Sequence, residues 1–307
     1  MIDSLWNILK RIFGMDVAWE TMTLARVGID PASARSLTRV LQPVHTVRLR
    51  PQSDEQVDPE ETRMDAAMKL SWHGITDVGL VRGHNEDNFA FLDLGARTLF
   101  VVADGMGGHD AGEVASNIAV KTVCREVREG KVQGTDPLAF VERAVQKANA
   151  EVRREGARKG SNMGTTLTIA LVEEGTAYIG SVGDSRAYWM ENGSITQVTE
   201  DHSLVAKLVA AGKLTREEAR NHPRSNLLYR TIGTDEHVKS GAYRLKLNKG
   251  GTLLLCTDGL WGELDDEEIR GLCAREQHTE ISCARLVQRA NANGGKDNIT
   301  AIVVKVS

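Results

Sequence analysis

The sequence predicts an α+β fold in which antiparallel sheets carry helices on their outer faces. Two observations predict it. Apolar runs rich in β-branched residues cluster in the middle of the chain and are joined by short Gly-Asp, Asn-Gly and Lys-Gly-Gly turns such as Asn192-Gly193, so neighbouring strands pair as hairpins. Helical patterns arrive in pairs, not one between every two strands as a doubly wound parallel sheet requires.

The strand segments are Thr98 to Ala103, Thr166 to Val172, Ala177 to Val182, Thr252 to Cys256 and Ile299 to Val306. Gly112 to Val127 reads as a helix with Val114, Ile118, Val123 and Val127 on a broad apolar face. Pro137 to Ala157 behaves similarly, and Glu280 to Ala292 forms a third helix with Thr279 as its N-cap. No internal repeat is found.

The chain has 307 residues, 41% hydrophobic and 26% charged, enough to bury a substantial core in one large domain or two small ones. A formal net charge of -4 predicts no general attraction to nucleic acid. Cys124, Cys256, Cys273 and Cys283 form no Cys-x-x-Cys pair and no zinc spacing, which reads as buried thiols in a reducing compartment. No apolar run approaches the ~20 residues of a membrane span, and the sequence shows no basic-apolar-small signal-peptide pattern. A cytoplasmic location is expected.

Character changes near residue 70. Residues 1–50 form an N-terminal extension, 51–68 an acidic, proline-bearing linker, and 69–307 the patterned domain. Within the extension, Leu5, Ile8, Leu9, Ile12 and Phe13 recur at helical spacing beside Lys10 and Arg11. Residues 2–13 read as a membrane-surface helix, a docking helix for a partner, or a helix packed on its own domain. Met68 is also an alternative start of the chain.

Acidic residues stand at the ends of the strand segments. Phe100-Val101-Val102-Ala103 runs into Asp104-Gly105-Met106-Gly107-Gly108-His109, Leu253-Leu254-Leu255-Cys256-Thr257 into Asp258-Gly259, and Ile179-Gly180-Ser181-Val182-Gly183 into Asp184-Ser185-Arg186. Asp297-Asn298 precedes the last strand. A strand-terminal carboxylate sits on a stiff scaffold, as metal coordination requires, and a following glycine clears space for a cation or a phosphate. One Asp-Gly pair is an ordinary turn. Three strand-end aspartates together with Asp297 and Glu86-Asp87 would repel one another unless cations sit among them. Every candidate donor is an oxygen, which suits Mg²⁺ or Mn²⁺ and suits zinc or copper poorly. Arg82, in Arg82-Gly83-His84-Asn85-Glu86-Asp87, offers a planar fork of donors for a phosphoryl dianion; alone it would read as a surface ion pair.

These motifs resemble the metal-dependent protein phosphatases (protein phosphatase type 2C), in particular their bacterial branch. The match runs through Gly79-Leu80-Val81-Arg82 with Asn85-Glu86-Asp87, Ala103-Asp104-Gly105-Met106-Gly107-Gly108-His109, Gly164-Thr165-Thr166, Gly183-Asp184-Ser185-Arg186, Thr199-Glu200-Asp201-His202-Ser203, Thr257-Asp258-Gly259-Leu260-Trp261 and Asp297-Asn298-Ile299-Thr300, in family order across about residues 70–307. The resemblance implies an α-β-β-α sandwich of two antiparallel sheets flanked by helix pairs. It implies a serine/threonine protein phosphatase in which a water activated at a binuclear Mg/Mn centre attacks the phosphorus.

Carried over residue by residue, Asp104 would bridge both metals with the Gly105 carbonyl on one of them. Asp258 and Asp297 would hold the first metal, and Glu86 and Asp87 the second, directly or through its waters. Asp184 with Asp258 would form a third, weaker site. Arg82 would orient the phosphate, and His109 is the candidate general acid, its alternative being a loop histidine near the metals. Residues 203–226 resemble the family's flap, with Leu204, Val205, Leu208 and Val209 as an apolar stripe and a capped second helix over 214–219. Its exposed Lys207, Lys213, Arg216 and Arg220 could touch a phosphoprotein. The implied partners are phosphoproteins made by a serine/threonine kinase. A phosphatase-like scaffold and a small-molecule phosphohydrolase are the rival readings; scaffolds lose the ligand set that this chain keeps.

Overall fold

The computed structural model describes residues 68–107, 111–220 and 222–307. The extension, most of the acidic linker and the helix expected over 2–13 lie outside the described residues, as does His109.

Two antiparallel sheets stack face to face. One runs β1 (Leu70–Asp77), β11 (Ile299–Val306), β10 (Thr252–Cys256), β7 (Arg186–Glu191), β8 (Ser194–Gln197). The other runs β2 (Asp87–Asp93), β3 (Arg97–Met106), β5 (Leu167–Glu173), β6 (Thr176–Val182), β9 (Gly241–Lys246), with the two-residue β4 (Gly164–Thr165) paired to β3. Helices α1 (Ala111–Arg128) and α2 (Pro137–Lys159) cover the outer face of the second sheet. The short α5 (Asp258–Trp261), α6 (Asp266–Ala274) and α7 (Thr279–Asn293) cover the first.

Period-2 alternation explains this layering. Leu99, Val101 and Ala103 of β3 point to α1 and α2, while Phe100 and Val102 point to the other sheet. On β10, Leu254 and Cys256 meet the helices, and Leu253 and Leu255 fill the space between the sheets. Strands covered on both faces must be apolar throughout. That is why β3, β10 and β11 stand out in the sequence. The edge strand β9 alternates half-buried and exposed positions along its length.

Three differences from the sequence reading have plain causes. Gly183-Asp184 and Lys249-Gly250-Gly251 close no hairpin: each carries the chain from one sheet to the other, because β6 and β9 belong to the second sheet and β7 and β10 to the first. Asn192-Gly193 does join β7 to β8 as expected, with both residues at positive φ. Thr279 is the first residue of α7, not its cap; His278 holds that position without a side-chain cap bond, and the Thr279 hydroxyl turns to Glu280. Strands β1, β2, β7, β8 and β9 and helix α6 escaped the apolar pattern, though α6 opens on a complete Asp265/Glu268 capping box.

Phe100 is fully buried between the sheets and meets Trp72 edge-on at 5.8 Å. Phe100→Ala should cost about 3–5 kcal/mol of unfolding free energy. Guanidinium denaturation in EDTA, with an unchanged slope, measures it; a loss well below that range would mean that the intersheet layer can collapse around the cavity.

Candidate active site

The alternation that builds the core also builds the site. Along β3 the inward positions run Phe100, Val102, Asp104, so the apolar intersheet layer ends in a carboxylate. Asp87 is the residue of β2 paired with Asp104, on the same side of the sheet as Phe89 and Phe91. From the facing sheet, Thr300 shares the inward face of β11 with Ile302 and Val304. Its hydroxyl donates to Oδ2 of Asp87 at 2.6 Å, and the Thr257 hydroxyl donates to the same oxygen at 2.8 Å. The other oxygen, Oδ1, is buried without a partner. Two threonines thus fill one side of the carboxylate and leave the other free.

Asp104 is held through its backbone. Its N–H donates to the Thr166 hydroxyl at 2.9 Å, and its carbonyl accepts from the Thr166 N–H and the Thr165 hydroxyl. Gly105 sits where no side chain fits: a Cβ would stand 2.1 Å from the Gly112 carbonyl oxygen and 2.7 Å from that of Glu86. The Glu86 carboxyl lies against Gly112 at the start of α1, and the Ser116 hydroxyl donates to the Glu86 carbonyl at 2.6 Å.

Asp258 opens α5 directly after β10, and its Oδ1 is also buried and unpartnered. Asp184 follows the Gly183 crossover; its carbonyl accepts from the Trp261 indole N–H at 3.0 Å. The Arg186 guanidinium lies 3.5 Å from the centre of the Trp261 ring and binds Asp201 through Nε and Nη2. Asp297 pairs with Arg82 at 2.6 Å, Arg82 being half exposed.

Of the residues singled out in the sequence, the structure brings Arg82, Glu86, Asp87, Asp104, Gly105, Asp184, Asp258 and Asp297 into one neighbourhood. Burial pushes the carboxyls of Asp87, Asp104 and Asp184 well above the usual carboxylate range; Asp258 adds to this for all three, and the Thr300 and Thr257 hydroxyls oppose it at Asp87. Burial, then the neighbouring Asp297, raises Asp258 to about 6. Glu86 is raised by burial and held back by Arg82.

Among the described residues, no three carboxylate, imidazole or thiol groups already surround one ion position. Asp297 is paired with Arg82 instead. A dication held by Asp297 would have to compete with that pairing. The chemistry of the site suits one: hard oxygen donors only, two orphaned buried carboxylate oxygens, and a glycine cradle.

Within residues 203–226 lie two short helices. Ser203 caps α3 (Leu204–Ala210), and Thr215 and Glu218 exchange capping bonds at α4 (Arg216–Arg220). Val205 is buried, so the apolar stripe serves packing. Lys207 sits over the Tyr229 ring at 3.4 Å, and Arg220 donates to the Leu264 carbonyl. The supporting hydroxyls of Thr257, Thr300, Thr165 and Thr166 went unrecognised in the sequence, although each belongs to a quoted motif. Their parity relative to Asp87 and Asp104 was the available signal. The four cysteines are buried and unpaired; burial pushes the Cys256 thiol up, which leaves no thiolate nucleophile beside Asp258.

The family model for protein phosphatase 2C matches residues 82–303. The chain belongs to the protein phosphatase 2C family. It is a serine/threonine protein phosphatase. The serine/threonine phosphatase stp of Listeria monocytogenes is 35% identical over 235 residues, covering 75% of this chain and 93% of that protein. PstP of Mycobacterium tuberculosis is 38% identical over 241 residues, 77% of this chain and 45% of that longer protein. Among solved structures, the catalytic domain of PstP in complex with two manganese ions superposes with a TM-score of 0.70 at 34% identity, covering 78% of this chain and 99% of that one.

Raised carboxyl pKa values make the ionised metal-free site a liability. A group raised in the fold contributes stability below its unfolded value, 3.8 for Asp258, and that contribution is lost as pH rises through about 6. Asp87, Asp104 and Asp184 extend the loss upward. His202, lowered to about 4 by burial and Arg230, works in the opposite sense on acidification, but equally in metal-free and metal-loaded protein. Thermal melts in EDTA and in excess Mn²⁺ should therefore diverge more at pH 8 than at pH 6. An equal Mn²⁺ increment at both would contradict the assignment of these acids to the ions.

Proposed function

We propose that this phosphatase hydrolyses phosphoserine and phosphothreonine in proteins with a water activated at a binuclear Mn²⁺ or Mg²⁺ centre. The observation that carries the reading is the pair of buried, unpartnered oxygens, Oδ1 of Asp87 and Oδ1 of Asp258, in a cluster of acids that repel one another. The manganese complex of the PstP catalytic domain supports it.

Bound dications would supply an acidified water as nucleophile and positive charge for the phosphoryl oxygens. Asp104, with the Gly105 carbonyl beside it, is assigned to both ions. Asp258 and Asp297 are assigned to the first, Glu86 and Asp87 to the second, and Asp184 with Asp258 to a third, weaker position. Thr257 and Thr300 keep Asp87 Oδ1 turned to its task by occupying Oδ2. Arg82 holds Asp297 through a single nitrogen, Nη2, so its remaining donors are available to orient a phosphate dianion. The departing seryl or threonyl oxygen needs a proton, and His109 is the residue assigned to deliver it. The substrates are then the products of a serine/threonine kinase.

Asp104→Asn keeps the shape of the side chain and removes its charge. Turnover of p-nitrophenyl phosphate and of a phosphothreonine peptide with Mn²⁺ should fall by more than about a hundredfold, the scale for losing one preorganised electrostatic group. The circular dichroism spectrum should stay that of the parent. Full turnover in that variant would refute the reading, and faster hydrolysis of nucleotides than of phosphopeptides would redirect it to small molecules.

A further inference from the structure

Arg82 and Glu86 lie on the segment that connects β1 to β2, and one side chain from the far end of the chain clasps it. Asn298 is 5% exposed. Its Oδ1 accepts from the Glu86 N–H at 2.8 Å, while its Nδ2 donates to the Val78 and His84 carbonyls, each at 2.9 Å. The two carbonyls flank the turn that carries Arg82, so the amide closes that turn at its base. Only a carboxamide presents one acceptor and two donors in this plane. All three partners are backbone groups.

The other ties of this segment leave Arg82 to the clasp. Leu80 and Val81 N–H groups reach the Gly295 carbonyl before the arginine, and the Asn85 side chain reaches Thr76 after it. Asp297, adjacent to Asn298, binds the guanidinium directly and accepts from the Asn298 N–H at 2.9 Å. One dipeptide therefore holds the arginine's segment twice: the Asp297 side chain binds the guanidinium, and the Asn298 side chain binds backbone groups of Val78, His84 and Glu86 on either side of it.

We infer that Asn298 is a positioning residue for phosphate recognition, acting through Arg82 by fixing the backbone on which the guanidinium stands. The inference rests on the reading of Arg82 as the phosphate-orienting residue. Asn298→Asp is the sharper variant: it keeps the volume and the acceptor for Glu86, loses both donors, and sets a carboxylate against two carbonyl oxygens. Asn298→Ala removes all three bonds.

The test is a double-mutant cycle on KM for a phosphothreonine peptide with Mn²⁺, with inhibition by inorganic phosphate as a second readout. Each Asn298 variant alone should raise KM and the phosphate inhibition constant about tenfold, within the range of coupling between neighbouring residues. In an Arg82→Ala background, the same changes should add nothing further. Penalties that multiply, an unchanged KM, or loss of the folded spectrum in both variants would overturn the inference in favour of a purely structural asparagine. If Arg82→Ala by itself leaves KM and phosphate inhibition unchanged, the reading of Arg82 fails first, and separately.

Discussion

Mutual repulsion among desolvated carboxylates is the constraint around which this molecule is organised. Asp87, Asp104, Asp184, Asp258 and Asp297 are drawn from widely separated parts of the chain, and burial penalises the charge on the first four. A cluster of that kind opposes folding unless the rest of the fold holds it in place. The large apolar layer between the two sheets does so: Phe100, Val102, Ile302 and Val304 anchor the same strands that end in, or lie against, the acids. Stability resides in the hydrophobic layer, and the site spends part of it.

Hydroxyl groups mediate between the two regimes. Thr300 sits one inward position from Ile302 on β11 and donates to Asp87, while Thr165 and Thr166 hold the Asp104 backbone. Threonine suits this boundary because its methyl packs with the core while its hydroxyl satisfies a buried oxygen without adding charge. The Arg186–Trp261 stack plays the equivalent part under Asp184, with a bidentate bond to Asp201 so that the buried guanidinium is not left unpaired.

Legibility in the sequence followed burial. β3, β10 and β11 are covered on both faces and read as continuous apolar runs, so the acids that terminate them could be named from the chain alone. Asp87 opens a strand, Asp-Asn-Phe-Ala-Phe-Leu-Asp, too mixed to register as one, and β1 is broken by His73 and Gly74. Glu86-Asp87 stood out by its acidity alone, and the family resemblance supplied its role. What neither conveyed was pairing: that Thr300 and Thr257 share one oxygen of Asp87, or that Asn298 reaches three backbone groups, depends on cross-sheet register. The crossovers at 183–184 and 249–251 were misread for the same reason, since a glycine turn looks alike whether it returns to its own sheet or departs to the next.

The base of residues 203–229 has a consequence for the loop that carries Asp184. Gly183 gives its N–H to Nδ1 of His202 and receives the His202 N–H on its carbonyl, while Tyr229 returns to the His202 carbonyl and Ser203 bridges Leu228. The stem is thereby tied to the loop bearing Asp184, while beyond it Val205 and Ala219 are buried and Arg220 reaches the Leu264 carbonyl. Changes beyond this stem that spare His202, Ser203 and Tyr229 leave the bonds that fix Gly183, and with it the approach to Asp184, in place.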